Sequence, residues 1–415
     1  MKNTKFLSTL ALFALLLVGN LNAKFGGGDG SQSAPYQIWS KAHLETLADS
    51  VNNGNNWSKD KHFILMDDIN DSIRFCIGLH YYHEDNDRTK FFEGHFDGNN
   101  KKITLALNFS FNANAGLFNN IHNGIIENLA VDGYINGILH DVGGICGFTY
   151  NSYIINCTNY CKISVSYSVG GISGFTANSY IINCVNYGEI NGTSTNYGSI
   201  GGISGSTQDA VHILNCVNYG EINGADRSVG GIAGNAGVSD IKIINCKNYG
   251  DVNGKLFVGG ILGDTWQTSC NISYCTNSGS ITASDYGVGG IVGYFKGDTI
   301  SYCVNIGTII GKGKTIDYYP AVGAGGIVGM GGFIKEGYYS ASLIDKCINS
   351  GLVTGTNSTG GIIGCAYNLD KVSNCINTGA VSSSSGEMGC IAGKVEDGGT
   401  IINCHYDKQV CGGGE

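Results

Sequence analysis

The sequence predicts an all-β fold: a right-handed parallel β-solenoid of about ten coils with a small α+β N-terminal cap. Three observations predict this fold. A Gly-Gly-Ile triplet recurs roughly every 30 residues along most of the chain. Between triplets, apolar residues alternate with polar ones as in strands, and no copy has a helical period. The 66 glycines occur with only 2 prolines and 42% apolar residues, so the chain has enough apolar side chains to bury.

Residues 1–23 have the features of a secretory signal peptide. Lys2 and Lys5 form a positive start, an apolar stretch covers 6–18, and Ala23 provides a small residue for cleavage. The apolar stretch is too short to span a bilayer. We therefore expect an exported protein, secreted or on the cell surface, with no transmembrane segment in the mature chain.

Residues 24–110 differ from the repeat and are predicted to form an N-terminal capping region. Ser40 is expected to cap a short helix over 41–51. A strand over 63–66 and a tight turn at 96–99 predict hairpins that cover the first coil. Such a cap would protect an open sheet edge from end-to-end association.

Residues 111–410 contain the repeat, and 411–415 form a short tail. The triplets begin at Gly143, Gly170, Gly201, Gly230, Gly259, Gly289, Gly325 and Gly360. Stacking the coils at about 4.8 Å would give a rod on the order of 50 Å long. Alternation predicts that Ile182, Cys184 and Asn186 share the inward face, and corner glycines are expected to supply positive φ. Right-handed coiling follows the usual crossover preference.

Nine cysteines occupy one repeat position and are predicted to form a reduced, stacked ladder in the core, because cysteine packs as a small apolar residue. These are Cys157, Cys184, Cys216, Cys246, Cys275, Cys303, Cys347, Cys375 and Cys404. The remaining cysteines leave an occasional disulfide open. No repeat provides a Cys-x-x-Cys metal pair, so neither a metal nor a cofactor is expected.

A second ladder of eight asparagines is predicted at a corner, where stacked amides can bond each other and the backbone of the turn. Its members are Asn159, Asn186, Asn218, Asn248, Asn277, Asn305, Asn349 and Asn377.

Tyrosines provide the candidate binding residues. Tyr160, Tyr187, Tyr219 and Tyr249 occupy one outward position in consecutive coils. Two inserted loops add Tyr318, Tyr319, Tyr338 and Tyr339. The stacked tyrosines either stabilise the sheet or form an aromatic surface for a glycan or a protein. The loops are either neutral insertions or specificity elements.

The segments Val229-Gly230-Gly231-Ile232-Ala233-Gly234 and Ile244-Asn245-Cys246-Lys247-Asn248-Tyr249-Gly250 resemble the GLUG-motif repeat. This repeat occurs in secreted bacterial proteins, including adhesin-like surface proteins and the N-terminal parts of IgA-cleaving metallopeptidases. The resemblance covers about residues 26–410 and implies a solenoid scaffold. The sequence has no His-Glu-x-x-His segment, which the peptidase chemistry would require.

These features predict a secreted or surface-bound binding protein of the adhesin-like kind, recognising glycans or matrix proteins. A carbohydrate-active enzyme and a passive spacer are the alternatives. Glu189, Glu221 and Asp251 recur at one outward position, but no nucleophile–base pair accompanies them. The net charge of −9 and the lack of a basic run argue against nucleic acid as a partner. The sequence leaves the oligomeric state undetermined.

Overall fold

A computed structural model describes residues 24–79, 90–110, 114–194, 198–266, 269–297, 299–313, 323–332, 342–367, 370–396 and 398–411. It confirms the predicted parallel β-solenoid, which has about 11 turns and is about 54% strand and 4% helix. The predicted signal peptide at 1–23 lies outside the described residues, as do the last four residues of the predicted tail.

Each coil contributes strands to three parallel sheets. In one representative coil these strands are Ser168–Gly170, Ser173–Ala177, Tyr180–Ile182, Val185–Asn186 and Ile190–Gly192. Equivalent repeat positions pair from coil to coil, so every row of side chains runs along the rod.

The three sheets differ in length. Within the described residues the main sheet has 31 strands and the third sheet 10. The glycine sheet, which contains the first glycine of each Gly-Gly-Ile triplet, has 9 described strands. The main sheet begins with Tyr36–Ile38, His62–Leu65, Ile69–Ile73, His95–Phe109 and Ile125–Gly137. It then has three columns. The first column is Tyr153–Ile155, Tyr180–Ile182, His212–Leu214, Ile241–Ile244, Cys270–Ser273, Thr299–Ser301, Leu343–Asp345, Lys371–Ser373 and Thr400–Ile402. The second column is Thr158–Asn159, Val185–Asn186, Val217–Asn218, Lys247–Asn248, Thr276–Asn277, Val304–Asn305, Ile348–Asn349, Ile376–Asn377 and His405–Tyr406. The third column is Lys162–Val165, Ile190–Gly192, Ile222–Gly224, Val252–Gly254, Ile281–Ala283, Ile309–Gly311, Val353–Gly355 and Val381–Ser383.

Each Gly-Gly-Ile triplet begins at the end of a glycine-sheet strand and leads into a strand of the third sheet. The glycine sheet contains Asp141–Gly143, Ser168–Gly170, Ile200–Gly201, Arg227–Gly230, Leu256–Gly259, Val288–Gly289, Gly323–Gly325, Ser358–Gly360 and Met388–Gly389. The third sheet contains Phe118–His122, Cys146–Tyr150, Ser173–Ala177, Ser204–Gln208, Ala233–Gly237, Leu262–Trp266, Val292–Phe295, Val328–Gly331, Ile363–Ala366 and Ala392–Val395.

The N-terminal region contains the predicted helix, which runs from Lys41–Asn52 and buries Leu44 and Leu47. The Ser40 side chain makes no capping bond; instead Nδ1 of His43 accepts a hydrogen bond from the Trp39 N–H at 3.0 Å. No described helix is both long and apolar enough to cross a membrane.

The predicted hairpins are wrong, because the N-terminal strands pair in parallel within the main sheet. Tyr36–Ile38 pairs with His62–Leu65, which pairs with His95–Phe109. The predicted turn at 96–99 is a register shift inside that last strand, with Asn99 and Asn100 at positive φ. Coil stacking therefore already begins in the N-terminal region.

The corner chemistry also differs from the prediction. The repeat glycines do not have positive φ; asparagines such as Asn183 (φ 56°) and Asn215 (φ 56°) do. Because the backbone turns at Asn183, strict alternation fails there. Ile181 is therefore fully buried, and Ile182, predicted to face inward, is partly exposed.

The repeat glycines are required for close approach. A Cβ on Gly202 would overlap the Gly231 carbonyl oxygen and the Asn218 amide. A Cβ on Gly220 would overlap the Gly188 carbonyl of the preceding coil. The Gly-Gly-Ile and Asn-Tyr-Gly motifs are thus two parts of one packing arrangement between coils.

The last described coil is less buried than the others. Ile401 is 40% exposed, whereas Val372, its partner in the preceding coil, is fully buried. A disulfide between Cys390 and Cys411 holds the chain after this coil against it.

Candidate functional site

The cysteine ladder lies in the core. Its members are buried and unbridged, except that Cys404 in the last coil is only half-buried. Each Sγ lies against backbone carbonyls, as Cys216 does with Ile181 (3.5 Å) and Leu214 (3.4 Å). Burial, together with the adjacent Cys184 and Cys246, raises the pKa of the Cys216 thiol well above its usual value. Thiols buried in an apolar core are poor nucleophiles and poor metal ligands, which favours a packing role for this row.

The asparagine ladder is also buried. Asn186 Nδ2 donates to Asn218 Oδ1 at 2.8 Å, and Asn218 Nδ2 donates to Asn248 Oδ1 at 2.8 Å. Each amide additionally donates to the carbonyl two residues later, as Asn218 does to Gly220 at 2.9 Å. The amides therefore satisfy turn backbone that would otherwise be buried without partners.

The tyrosine row lies on the exposed face of the main sheet. Tyr160, Tyr187, Tyr219 and Tyr249 are 44–47% exposed. Successive ring centroids are 5.1, 4.9 and 5.0 Å apart, and the planes differ by 4–8°. Because the rings stack, the two inner rings turn their faces toward neighbouring rings and present edges and hydroxyls to solvent.

Two polar rows run beside the tyrosines. The acidic row is Glu189, Glu221 and Asp251, and the amide row is Asn191, Asn223 and Asn253. Both lie at outward positions of the same short segments that carry the tyrosines, so a Tyr-x-acid-x-Asn triad recurs in three adjacent coils.

The amide row is ordered along the rod. Asn223 Nδ2 donates to Asn191 Oδ1 at 3.1 Å, and Asn253 Nδ2 donates to Asn223 Oδ1 at 3.0 Å. Glu189 accepts from Lys162 Nζ at 2.8 Å, and this contact lowers its pKa. The polar groups on this face are therefore held in position before any ligand binds.

An open groove of about 520 Å³ borders the amide row. Its wall includes all three asparagines of the amide row, together with Thr193 and Lys255. Glycines end the three strands at the groove, and a Cβ on Gly192 would overlap the Ile200 side chain. Packing against the core thus requires the small residues that also leave the groove open.

The sequence analysis did not predict a further row of exposed asparagines, which lies at the corner where these residues have positive φ. Asn183 Nδ2 donates to Asn156 Oδ1, and Asn215 Nδ2 to Asn183 Oδ1, both at 3.1 Å. In later coils Tyr274 and Tyr302 stack at 5.0 Å in this row. The recurrence of Asn directly before the ladder cysteine is the sequence signal that identifies this row.

Other candidate groups are dispersed. Tyr318, Tyr319, Tyr338 and Tyr339 lie outside the described residues. Burial raises the pKa of both Asp141 and Asp370 to about 7, but Asp141 lies in the first strand of the glycine sheet and Asp370 in the coil of its eighth strand, so the two carboxyls are far apart. Among the residues that the structure describes, no three His, Cys, Asp or Glu side chains are grouped to hold a metal.

Comparison with known proteins finds distant similarity. No family model matches the sequence. An Evansella cellulosilytica protein, provisionally assigned as a Gly-rich membrane protein, is 29% identical over 165 residues, covering 36% of this chain and 18% of that protein. The match thus spans less than one fifth of that relative.

Two solved structures are also similar. A Bacteroides ovatus protein, provisionally assigned as an immunoglobulin A1 protease, shares 18% identity at a TM-score of 0.31, covering 93% of this chain and 88% of the other. The A-module of the mannuronan C-5 epimerase AlgE6 from Azotobacter vinelandii shares 11% identity at a TM-score of 0.38, covering 93% and 98%. These similarities are too distant to assign an activity.

Proposed function

We propose that this protein is an exported, adhesin-like binding scaffold of the GLUG-repeat kind, and that its ligand lies on the tyrosine-bearing face of the main sheet. The observation that carries the proposal is the Tyr-x-acid-x-Asn triad, which recurs in register over three coils beside an open groove. The ligand is an extracellular glycan or matrix protein.

The contrast between the rows supports this assignment. Cysteines, buried asparagines and glycines have packing reasons for their identity. The exposed tyrosines, carboxylates and outer asparagines are not required to fill the core, and later coils replace the tyrosines by Ser278, Ile306 and Ser350. A row whose residues change from coil to coil, while the coil structure stays the same, is a candidate for ligand recognition.

A binding role is favoured over catalysis by the same geometry. The acidic row is exposed, with Glu221 and Asp251 open to solvent. General acid–base chemistry on a glycan needs two carboxyls with different environments at one site. The two described carboxyls with raised pKa values, Asp141 and Asp370, do not meet.

The test is binding of purified residues 24–415 to glycan and extracellular-matrix arrays. A Tyr187→Ala/Tyr219→Ala variant is compared with Tyr153→Ala/Tyr180→Ala, which removes another stacked pair (centroids 5.0 Å apart) from the same sheet. We expect saturable binding that only the first variant loses. If the parent protein binds none of the array components, the proposal is refuted.

A further inference from the structure

We infer that the ligand of this face is a linear, uncharged polysaccharide that lies parallel to the rod axis in the groove along Asn191, Asn223 and Asn253. This inference rests on the proposed function and names its ligand class.

The site repeats at the spacing of the coils. Tyrosine centroids recur at 4.9–5.1 Å, and the row amides are joined by hydrogen bonds of 3.0–3.1 Å. The described groove continues past the last triad to Ser284. A ligand that uses several equivalent positions must itself repeat along the rod, so a polymer fits and a compact molecule does not.

The charges disfavour a polyanion. Glu189, Glu221 and Asp251 stack at one position in adjacent coils, where like charges oppose each other. In the described residues, Lys162 pairs with this row at Glu189 and Lys255 lines the groove, so these two cations do not balance the three carboxylates. Glu221 and Asp251 instead contact the Asn253 amide and the Ser280 N–H. Uronate polymers, sulfated glycans and nucleic acids would place further negative charge beside them.

The available groups favour sugars over an extended peptide. The strands at the groove are already paired with the coils on both sides, so a peptide cannot add as a further strand there. No large exposed aliphatic side chain that a protein partner could use lines the described groove; Ile348 and Ile376, for example, lie in later coils. The groove is lined by amide and hydroxyl groups together with Lys255, and the acidic and tyrosine rows lie next to it. The amides and hydroxyls match the hydroxyls of neutral sugars.

The preformed hydrogen bonds lower the entropic cost of binding. Asn223 is held by Asn191 and Asn253 on either side, so its side chain loses little freedom when a ligand docks. The same two contacts fix the orientation of the Asn223 amide, and with it the direction of the N–H and the oxygen lone pair that they do not use. Each additional coil engaged by the polymer then adds similar contacts without a new ordering step.

The experiment uses residues 24–415 and a panel of immobilised neutral linear polysaccharides with gluco-, manno-, galacto- and xylo-backbones, beside polyuronates, sulfated glycans and matrix proteins. Oligosaccharides of increasing length from the best neutral binder are then titrated by calorimetry. We expect affinity to rise with each added sugar until the triads are covered, and Asn223→Ala to weaken binding about tenfold. Tyr153→Ala/Tyr180→Ala serves as the matched control and should bind as the parent does.

Three results would overturn the inference. Binding only to polyanions or only to proteins would contradict the ligand class and leave the proposed function standing. Equal affinity for a monosaccharide and for longer chains would contradict the orientation along the rod. Binding to no component would contradict the proposed function as well.

Discussion

Replacing Asn218 by alanine tests whether the asparagine ladder stabilises the coils that contain it. Asn218 accepts from Asn186 at 2.8 Å and donates to Asn248 at 2.8 Å and to the Gly220 carbonyl at 2.9 Å. With each bond contributing about 1 kcal/mol net, the loss is about 3 kcal/mol. The Asn248 oxygen also loses its donor inside the core, which adds about 1 kcal/mol or more.

The matched control is Asn223→Ala, in the same coil. Asn223 also makes two amide bonds between coils, at 3.1 and 3.0 Å, but water reaches its groups in the variant. We expect a cost of about 1 kcal/mol or less. Burial, and not the number of bonds, is therefore predicted to separate the two variants.

The assay is hydrogen exchange by mass spectrometry, read coil by coil in parallel with urea unfolding, because repeat arrays can unfold in sections. Asn218→Ala should lower protection of Val217–Asn218 and of the paired strands Val185–Asn186 and Lys247–Asn248. Equal effects of Asn218→Ala and Asn223→Ala would refute the reasoning.

Three further predictions concern packing, pH and the C-terminal disulfide. Gly202→Ala should destabilise by about 3 kcal/mol in urea unfolding, and adding Asn218→Ala should not rescue it, because the Gly231 carbonyl still blocks the new Cβ. Burial raises the pKa of Asp141 to about 7, so the folded state holds a proton that the unfolded state releases; the free energy of unfolding should fall as pH rises from about 4 to 7. Urea midpoints at pH 5 and 8 should differ less in Asp141→Asn, and an unchanged difference would contradict this assignment. Cys411→Ser should raise exchange in Thr400–Ile402 while leaving Tyr180–Ile182 unchanged, since the Cys390–Cys411 bond joins only the last coil to the chain that follows it.

The sequence was sufficient for the fold because each coil repeats one pattern, and parallel stacking follows when equivalent residues pair. It was insufficient for the corners, because both Gly and Asn tolerate positive φ and only the backbone distinguishes a glycine needed for turning from one needed for close approach. Gly202 is of the second kind, and Asn183 provides the turn. The hairpins were predicted because turn residues at 96–99 also suit a register shift within a strand.

The candidate site was predictable only in part. The tyrosine row follows from its spacing, because equal repeat positions align along a solenoid. The groove does not, since it depends on how Gly192 and Thr193 lie beside the neighbouring coil. The amide row was not predicted, because Asn191 and Asn223 are the same residue type as the buried asparagine ladder and differ from it only in the face of the sheet that they occupy.

The most direct test is the affinity of Asn223→Ala for the neutral polysaccharide that binds the parent protein best, with unfolding measured on the same sample. Binding about tenfold weaker, with stability changed by about 1 kcal/mol or less, is the predicted result. Unchanged affinity in a folded variant would contradict the claim that this row recognises the ligand.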